Sequence, residues 1–243
     1  MNRKLISNIA DQHFAPTEMA AAALLAEAVP NDRIFVTGNT VIDALHWVRA
    51  RIHHAPSLIS RLAPLEESFR GRKIIGITAH RCENLGNGMA GIASAIRTLA
   101  ARDDIAFVFP VHMNPNVRSV MHAALGNISN VAVIEPLDYP NFVRLLEICH
   151  IMLTDSGGVQ EEAPAFGKPA LVLRDSTERP EGVMAGTAKL VGTAPDRIIA
   201  EVCVLLDDDT AHAAMTRARN PFGDGLAGQR IAEVIWRARR QLR

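Results

Sequence analysis

From residue 73 onward the chain alternates short apolar runs with segments of helix-forming composition, and this rhythm restricts the fold more tightly than any other feature. The runs at 73–79 (KIIGITA), 105–110 (IAFVFP), 131–134, 151–154, 170–173 and 188–191 are predominantly apolar. That is the pattern of strands covered on both faces. The intervening stretches 89–101, 117–125, 139–149, 158–166 and 180–185 predict helices, as do 198–206 and 226–240, and Pro164 is expected to bend its helix. Upstream, 13–15 and 33–37 read as strands and 41–53 as a helix. Thr17 caps a helix over 18–28, and 55–70 reads as a connection containing a short helix. The fold class that follows is α/β, a Rossmann-like parallel sheet with helices on both faces.

Ligands of such sheets bind at the carboxyl ends of the strands. Four loops at that edge are polar: 78–86 (TAHRCENLG), 111–118, 155–158 and 174–181. The fold itself brings them together, which predicts a functional cleft there. The most informative is Thr154-Asp155-Ser156-Gly157-Gly158-Val159-Gln160-Glu161-Glu162, a strand, a glycine turn and a helix start. Glycines let a ligand approach the backbone closely. The first amides of a helix are unpaired and carry the positive end of its dipole, so a phosphate or diphosphate is the natural guest. A carboxylate one turn further on suits ribose hydroxyls, and a nucleotide-sugar site follows. Taken alone, the segment reads equally well as an ordinary helix start, with Asp155 or Ser156 as cap.

The 243 residues carry 26 basic and 26 acidic side chains, so the charge balance points to neither nucleic acid nor a membrane surface. Three cysteines, Cys82, Cys149 and Cys203, have no paired spacing, which suits a reducing cytoplasm. No apolar run reaches the roughly 18 residues of a membrane span, and the first residues have no signal-peptide core. A cytoplasmic protein is expected. The basic end at 237–243 reads as a solvated helix terminus. No strand is followed by G-x-G-x-x-G and no phosphate-loop lysine motif occurs, so neither nicotinamide nor flavin is expected. His53 and His54 lack a carboxylate or cysteine at ligand spacing, and no metal is expected. His122, His150 and His212 read as packing or surface residues, and Cys82 as an inert thiol in the loop.

Taken in order, several segments resemble the non-hydrolysing UDP-N-acetylglucosamine 2-epimerases. They are Phe14-Ala15-Pro16-Thr17-Glu18, 36–44 (VTGNTVIDA), Thr78-Ala79-His80-Arg81-x-Glu83-Asn84 and 111–117 (VHMNPNV). Downstream stand 154–164 (TDSGGVQEEAP), Thr177-Glu178-Arg179-Pro180-Glu181 and 220–225 (NPFGDG). The resemblance covers essentially the whole chain. It implies the carboxy-terminal half of a GT-B-like two-domain fold, with substrate between two Rossmann-like halves. The implied activity interconverts UDP-N-acetylglucosamine and UDP-N-acetylmannosamine by expelling UDP and adding it back on the other face, with no cofactor.

Position by position, the resemblance makes Ser156, Gly157 and Gly158 the diphosphate cradle and Glu162 the ribose ligand. It makes Arg179 a second uridine-phosphate contact and sets the backbone near Phe142 against the uracil. His80 matches a histidine near the diphosphate that is needed for activity. Arg81 and His112 match positions that, in some bacterial members, touch a second UDP-N-acetylglucosamine acting as activator. Cys82 stands where an arginine is common.

By the same resemblance, 1–36 is the remnant of an amino-terminal Rossmann-like domain with its linker. Residues 37–243 form the UDP-binding domain, with helix 226–240 crossing back toward the other half. The acids that move the proton belong to the family's amino-terminal domain, most of which has no match here. A UDP-binding half that lacks the acid/base half is therefore expected, with a homodimer or a complementing amino-terminal half as partner. The alternatives are a non-catalytic UDP-sugar binding module and a UDP-sugar glycosyltransferase. The His80-Arg81-x-Glu83-Asn84 and Thr177-Glu178-Arg179-Pro180 pair speaks against the last.

Overall fold

The computed structural model describes residues 2–79, 87–111 and 115–241. The chain divides into two compact units, residues 48–219 and residues 1–47 with 220–243. This grouping differs from the 1–36 and 37–243 division read from the sequence. Its cause is a set of long-range bonds within the smaller unit that no local pattern announces.

The smaller unit begins with α1 (Asn2–Ile9), β1 (His13–Ala15), α2 (Glu18–Ala26) and β2 (Ile34–Val36), followed by α3 (Thr40–His54), which runs on past residue 47. β1 and β2 pair in parallel, with His13 opposite Ile34 and Ala15 opposite Val36. Thr17 caps α2 by accepting from the Ala20 amide at 3.1 Å, a bond of the kind that contributes about 1 kcal/mol. The Asn39 amide donates to the Phe222 carbonyl at 2.8 Å, and Phe222 is fully buried. The Asp43 carboxylate accepts from the Ala227 and Gly228 amides at 3.1 and 2.8 Å, capping the last helix of the chain. The segments 36–44 and 220–225, far apart in sequence, are thereby clasped together.

The larger unit holds α4 (Ala63–Ser68), β3 (Lys73–Thr78), α5 (Asn87–Leu99), β4 (Ile105–Pro110), α6 (Pro115–Leu125) and β5 (Val131–Ile134). It continues with α7 (Tyr139–Ile148), β6 (Ile151–Thr154), α8 (Gly157–Glu162), β7 (Ala170–Val172), α9 (Pro180–Met184), β8 (Ala188–Leu190), α10 (Pro195–Asp207) and α11 (Asp209–Arg217). α12 (Ala227–Gln241) returns to the smaller unit. Strands β3 to β8 form a six-stranded parallel sheet in the order β5-β4-β3-β6-β7-β8. The predicted α/β class and parallel sheet are therefore the fold observed.

Side chains alternate across the sheet with the period of two that a pleated strand imposes. Ile75 and Ile77 join the core made with α5, α6 and α10, including Ile92, Ile96, Met121, Ile198 and Val202. Gly76 points the other way, where a Cβ would run into Met152 and lie 3.6 Å from Leu145 of α7. Glycine there makes room for the Met152 side chain of the neighbouring strand β6. At Pro164 the helix that starts with α8 changes to a 3-10 turn, Ala163–Phe166, as expected where a ring replaces an amide hydrogen. No helix of the described residues is long and apolar enough to cross a membrane.

The strand order reverses between β3 and β6: from β3 the chain builds outward to β5, then returns and builds outward the other way. At such a switch point the loops leaving the two central strands part, and a crevice opens at their carboxyl ends.

Candidate functional site

The crevice is built from the ends of β3 and β6 upward. Thr78 and Thr154 are register partners, and their hydroxyl oxygens lie 2.6 Å apart. Thr154 is fully buried, and its hydroxyl also accepts from the Ser156 amide at 3.0 Å. The Asp155 amide donates to the Thr78 carbonyl at 3.0 Å. The turn leading into α8 is thus fixed before any glycine is reached. Ser156 is the N-cap residue in extended conformation, but its hydroxyl makes no capping bond. The helical ladder opens with the Gln160 amide donating to the Ser156 carbonyl at 3.4 Å, so the amides of Gly157, Gly158 and Val159 stand ahead of it.

Above this turn lies a cavity of about 320 Å³. Thr78 and Ala79 line it from β3, Pro110 from β4, and Ser156, Gly158 and Glu162 from the α8 segment. Tyr139 and Phe142 of α7 close one side. A Cβ added to Gly158 would meet only Ser156 Oγ, at 3.8 Å. The protein's own packing does not call for glycine at 158, and its backbone is open on the cavity side.

Glu162 is buried, and burial pushes its carboxyl above the usual range. The Tyr139 hydroxyl donates to its Oε1 at 3.0 Å and works against that shift, while the neighbouring Glu161 adds to it. Burial and the nearby Glu162 charge push the Tyr139 hydroxyl upward, keeping it a donor. Tyr139 begins α7, whose start is set by the Asp138 cap, with Asp138 Oδ1 accepting from the Asn141 amide at 3.1 Å. Buried Asn141 holds the preceding segment: it accepts from the Leu62 amide and donates to the Leu58 carbonyl, both at 3.0 Å.

The loop after β7 is tied to α8 rather than left loose. Thr177 donates to fully buried Gln160 Oε1 at 2.7 Å, and Gln160 Nε2 donates to the Ser156 carbonyl at 3.2 Å. Arg179 pairs through Nε with Glu161.

The residues singled out from the sequence fall into three groups. Phe142, Ser156, Gly158 and Glu162 share the cavity, and Gly157 is buried at the helix start beside them. Arg179 is held by Glu161 and is not among the lining residues. His80, Arg81 and His112 lie outside the described residues, as does Cys82. Sequence reasoning missed Tyr139 and the Thr177–Gln160 bond. Tyr139 sits at the first helical position after the β5 loop, at the binding edge of the sheet, and that position was the available signal. The Thr177–Gln160 bond joins residues 17 apart through side chains, which no periodicity reports.

A family profile of UDP-N-acetylglucosamine 2-epimerases matches residues 1–236. The chain belongs to the UDP-N-acetylglucosamine 2-epimerase family. A relative from Ralstonia solanacearum described as a probable UDP-N-acetylglucosamine 2-epimerase is 50% identical over 237 residues, covering 97% of this chain and 63% of the relative. The UDP-N-acetylglucosamine 2-epimerase of Neisseria meningitidis, solved bound to UDP-GlcNAc, superposes with a TM-score of 0.88 at 43% identity. That match covers 97% of this chain and 64% of the other. The S. aureus MnaA–UDP co-structure gives 0.87 at 42% identity, over 96% and 62%. This epimerase-family chain therefore spans a little under two thirds of the length of the relatives it matches.

Proposed function

We propose that this chain is the UDP-binding half of a UDP-N-acetylglucosamine 2-epimerase. The observation that carries the reading is the Gly158 backbone, left bare by the protein's own packing and facing a cavity at the switch point. Relatives solved with UDP-GlcNAc or UDP are similar over nearly the whole chain. In this reading the amides of Gly157 and Gly158 and the Ser156 hydroxyl receive the diphosphate. The Ser156 amide is engaged by Thr154. Glu162 takes the ribose, and the start of α7 near Phe142 faces the uracil.

The chemistry asked of such a half is stabilisation of departing UDP. Each oriented donor aimed at developing charge contributes about 3–4 kcal/mol when the site is dry. Arg179 fits this role through Nη2, since Nε is held by Glu161 and Nη1 by the Glu178 carbonyl at 3.1 Å. His80 would be the histidine near the diphosphate that the family resemblance implies is needed for activity. The sugar-facing acids would come from an amino-terminal Rossmann-like domain, to which the β1–β2 pair would belong. The exposed Leu5, Ile6 and Ile9 of α1 and Trp47 of α3 suit a surface that such a domain would cover. Turnover would take place in the cytoplasm, in a homodimer or with a complementing half.

One observation favours a second reading, a UDP-sugar binding module without turnover. Among the described lining residues Glu162 alone carries a carboxylate, and Tyr139 engages it. Calorimetric titration of the 243-residue chain with UDP tests the binding role, and the absence of binding by the folded chain would refute it. Assaying UDP-N-acetylmannosamine formation by the chain supplemented with the amino-terminal domain of a relative separates the two readings, since only the epimerase half would then turn over.

A further inference from the structure

We propose that Tyr139 is a positioning residue that aims Glu162 at the vicinal ribose hydroxyls of the bound nucleotide, so that the site selects ribonucleotides over deoxynucleotides. The inference rests on the nucleotide reading of the cavity. Both side chains line that cavity, and the Tyr139 hydroxyl donates to Glu162 Oε1 at 3.0 Å. With one carboxylate oxygen engaged, the other remains to accept from a ligand. At about 1.5 Å of rise per residue, Glu162 lies about 9 Å along the helix from the Ser156 turn. A nucleoside diphosphate spans such a separation between its phosphates and its ribose diol.

Tyr139 is well placed to hold this geometry. Its backbone is anchored by the Asp138 cap, and Asn141 Nδ2 donates to Asp138 Oδ1 at 2.6 Å. A buried carboxyl tends to take up a proton, and a protonated Glu162 would be a poor acceptor for hydroxyls. Hydrogen bonding to the ionised form opposes that uptake, and Tyr139 supplies such a bond.

The test is calorimetric titration of the parent chain, Tyr139→Phe, Glu162→Gln and the double variant with UDP and with 2′,3′-dideoxyuridine diphosphate. Tyr139→Phe is expected to weaken UDP binding on the order of tenfold, the worth of one hydrogen bond to a charged group. Binding of the dideoxy ligand should stay within about twofold, because it has no ribose hydroxyls for Glu162 to accept from. The double variant should bind UDP no more weakly than Glu162→Gln alone, and the acid limb of UDP binding should move to higher pH in Tyr139→Phe. Equal losses for both ligands, or parent-like UDP binding by Tyr139→Phe, would overturn the role assigned to Tyr139. A parent chain that binds neither ligand would instead overturn the nucleotide reading and this inference with it.

Discussion

Thr78 Oγ1 and Thr154 Oγ1 lie 2.6 Å apart, so a pair of hydroxyls joins the two directions of the sheet where its strand order reverses. Thr154 also accepts from the Ser156 amide, which couples the strand end to the glycine turn. Thr154→Val keeps the shape and removes the oxygen. It should leave the Ser156 amide without its partner and destabilise the larger unit by about 1–3 kcal/mol, the cost of an unsatisfied buried group. Urea unfolding measures this, and a parent-like midpoint would show that the turn does not depend on the bond.

Gly158→Ala is expected to separate stability from binding. The added methyl meets only Ser156 Oγ at 3.8 Å, and alanine is favoured over glycine in a helix by up to about 1 kcal/mol. Thermal unfolding should therefore occur at the parent temperature or above it, while UDP affinity falls. A variant that binds UDP as the parent does would mean that no ligand closes on the backbone at this position.

Gln160→Ala removes the acceptor of Thr177 and the donor to the Ser156 carbonyl. Residues 174–179 should then exchange amide hydrogens faster than in the parent, since this bond ties them to α8. Unchanged protection of that loop by mass spectrometry would leave the Arg179–Glu161 pair as the tie that matters.

A pH effect is expected from the opposite end of the sheet. His150 stacks on His212 with ring centroids 3.9 Å apart, and the His212 ring lies 3.2 Å from the His150 carbonyl. Burial, His212 and the Lys73 charge push the His150 imidazole down to about 4 from 6.5. The folded state thus disfavours the proton, and between those values the unfolded chain holds more of it. Stability should fall as pH drops from about 6.5 toward 4 and level off below. His150→Phe keeps a ring on His212 and should flatten that slope in urea titrations at stepped pH. An unchanged slope would assign the effect to other groups.

The sheet was legible in the sequence because parallel strands are buried on both faces, which leaves continuous apolar runs. The predicted 105–110, 131–134 and 151–154 are the observed β4, β5 and β6. The glycine turn after β6 was legible because its chemistry is local. α11 escaped notice because it buries no residue and so shows no apolar stripe; its start is set by Asp208 accepting from the Thr210 and Ala211 amides. The clasp between Asp43 and the start of α12 joins residues more than 180 apart, and only folding brings them together. The Tyr139–Glu162 bond was hidden for the same reason, as a contact between two helices.

The smaller unit draws on both the first 47 residues and those from 220 onward, whereas 48–219 is one uninterrupted stretch. During synthesis the ribosome therefore releases all of the larger unit before the last helix of the smaller one. Nascent chains of this kind reverse the usual amino-to-carboxyl order of folding. Residues 2–47 therefore wait for their partners from 220 onward until the whole of 48–219 has been made.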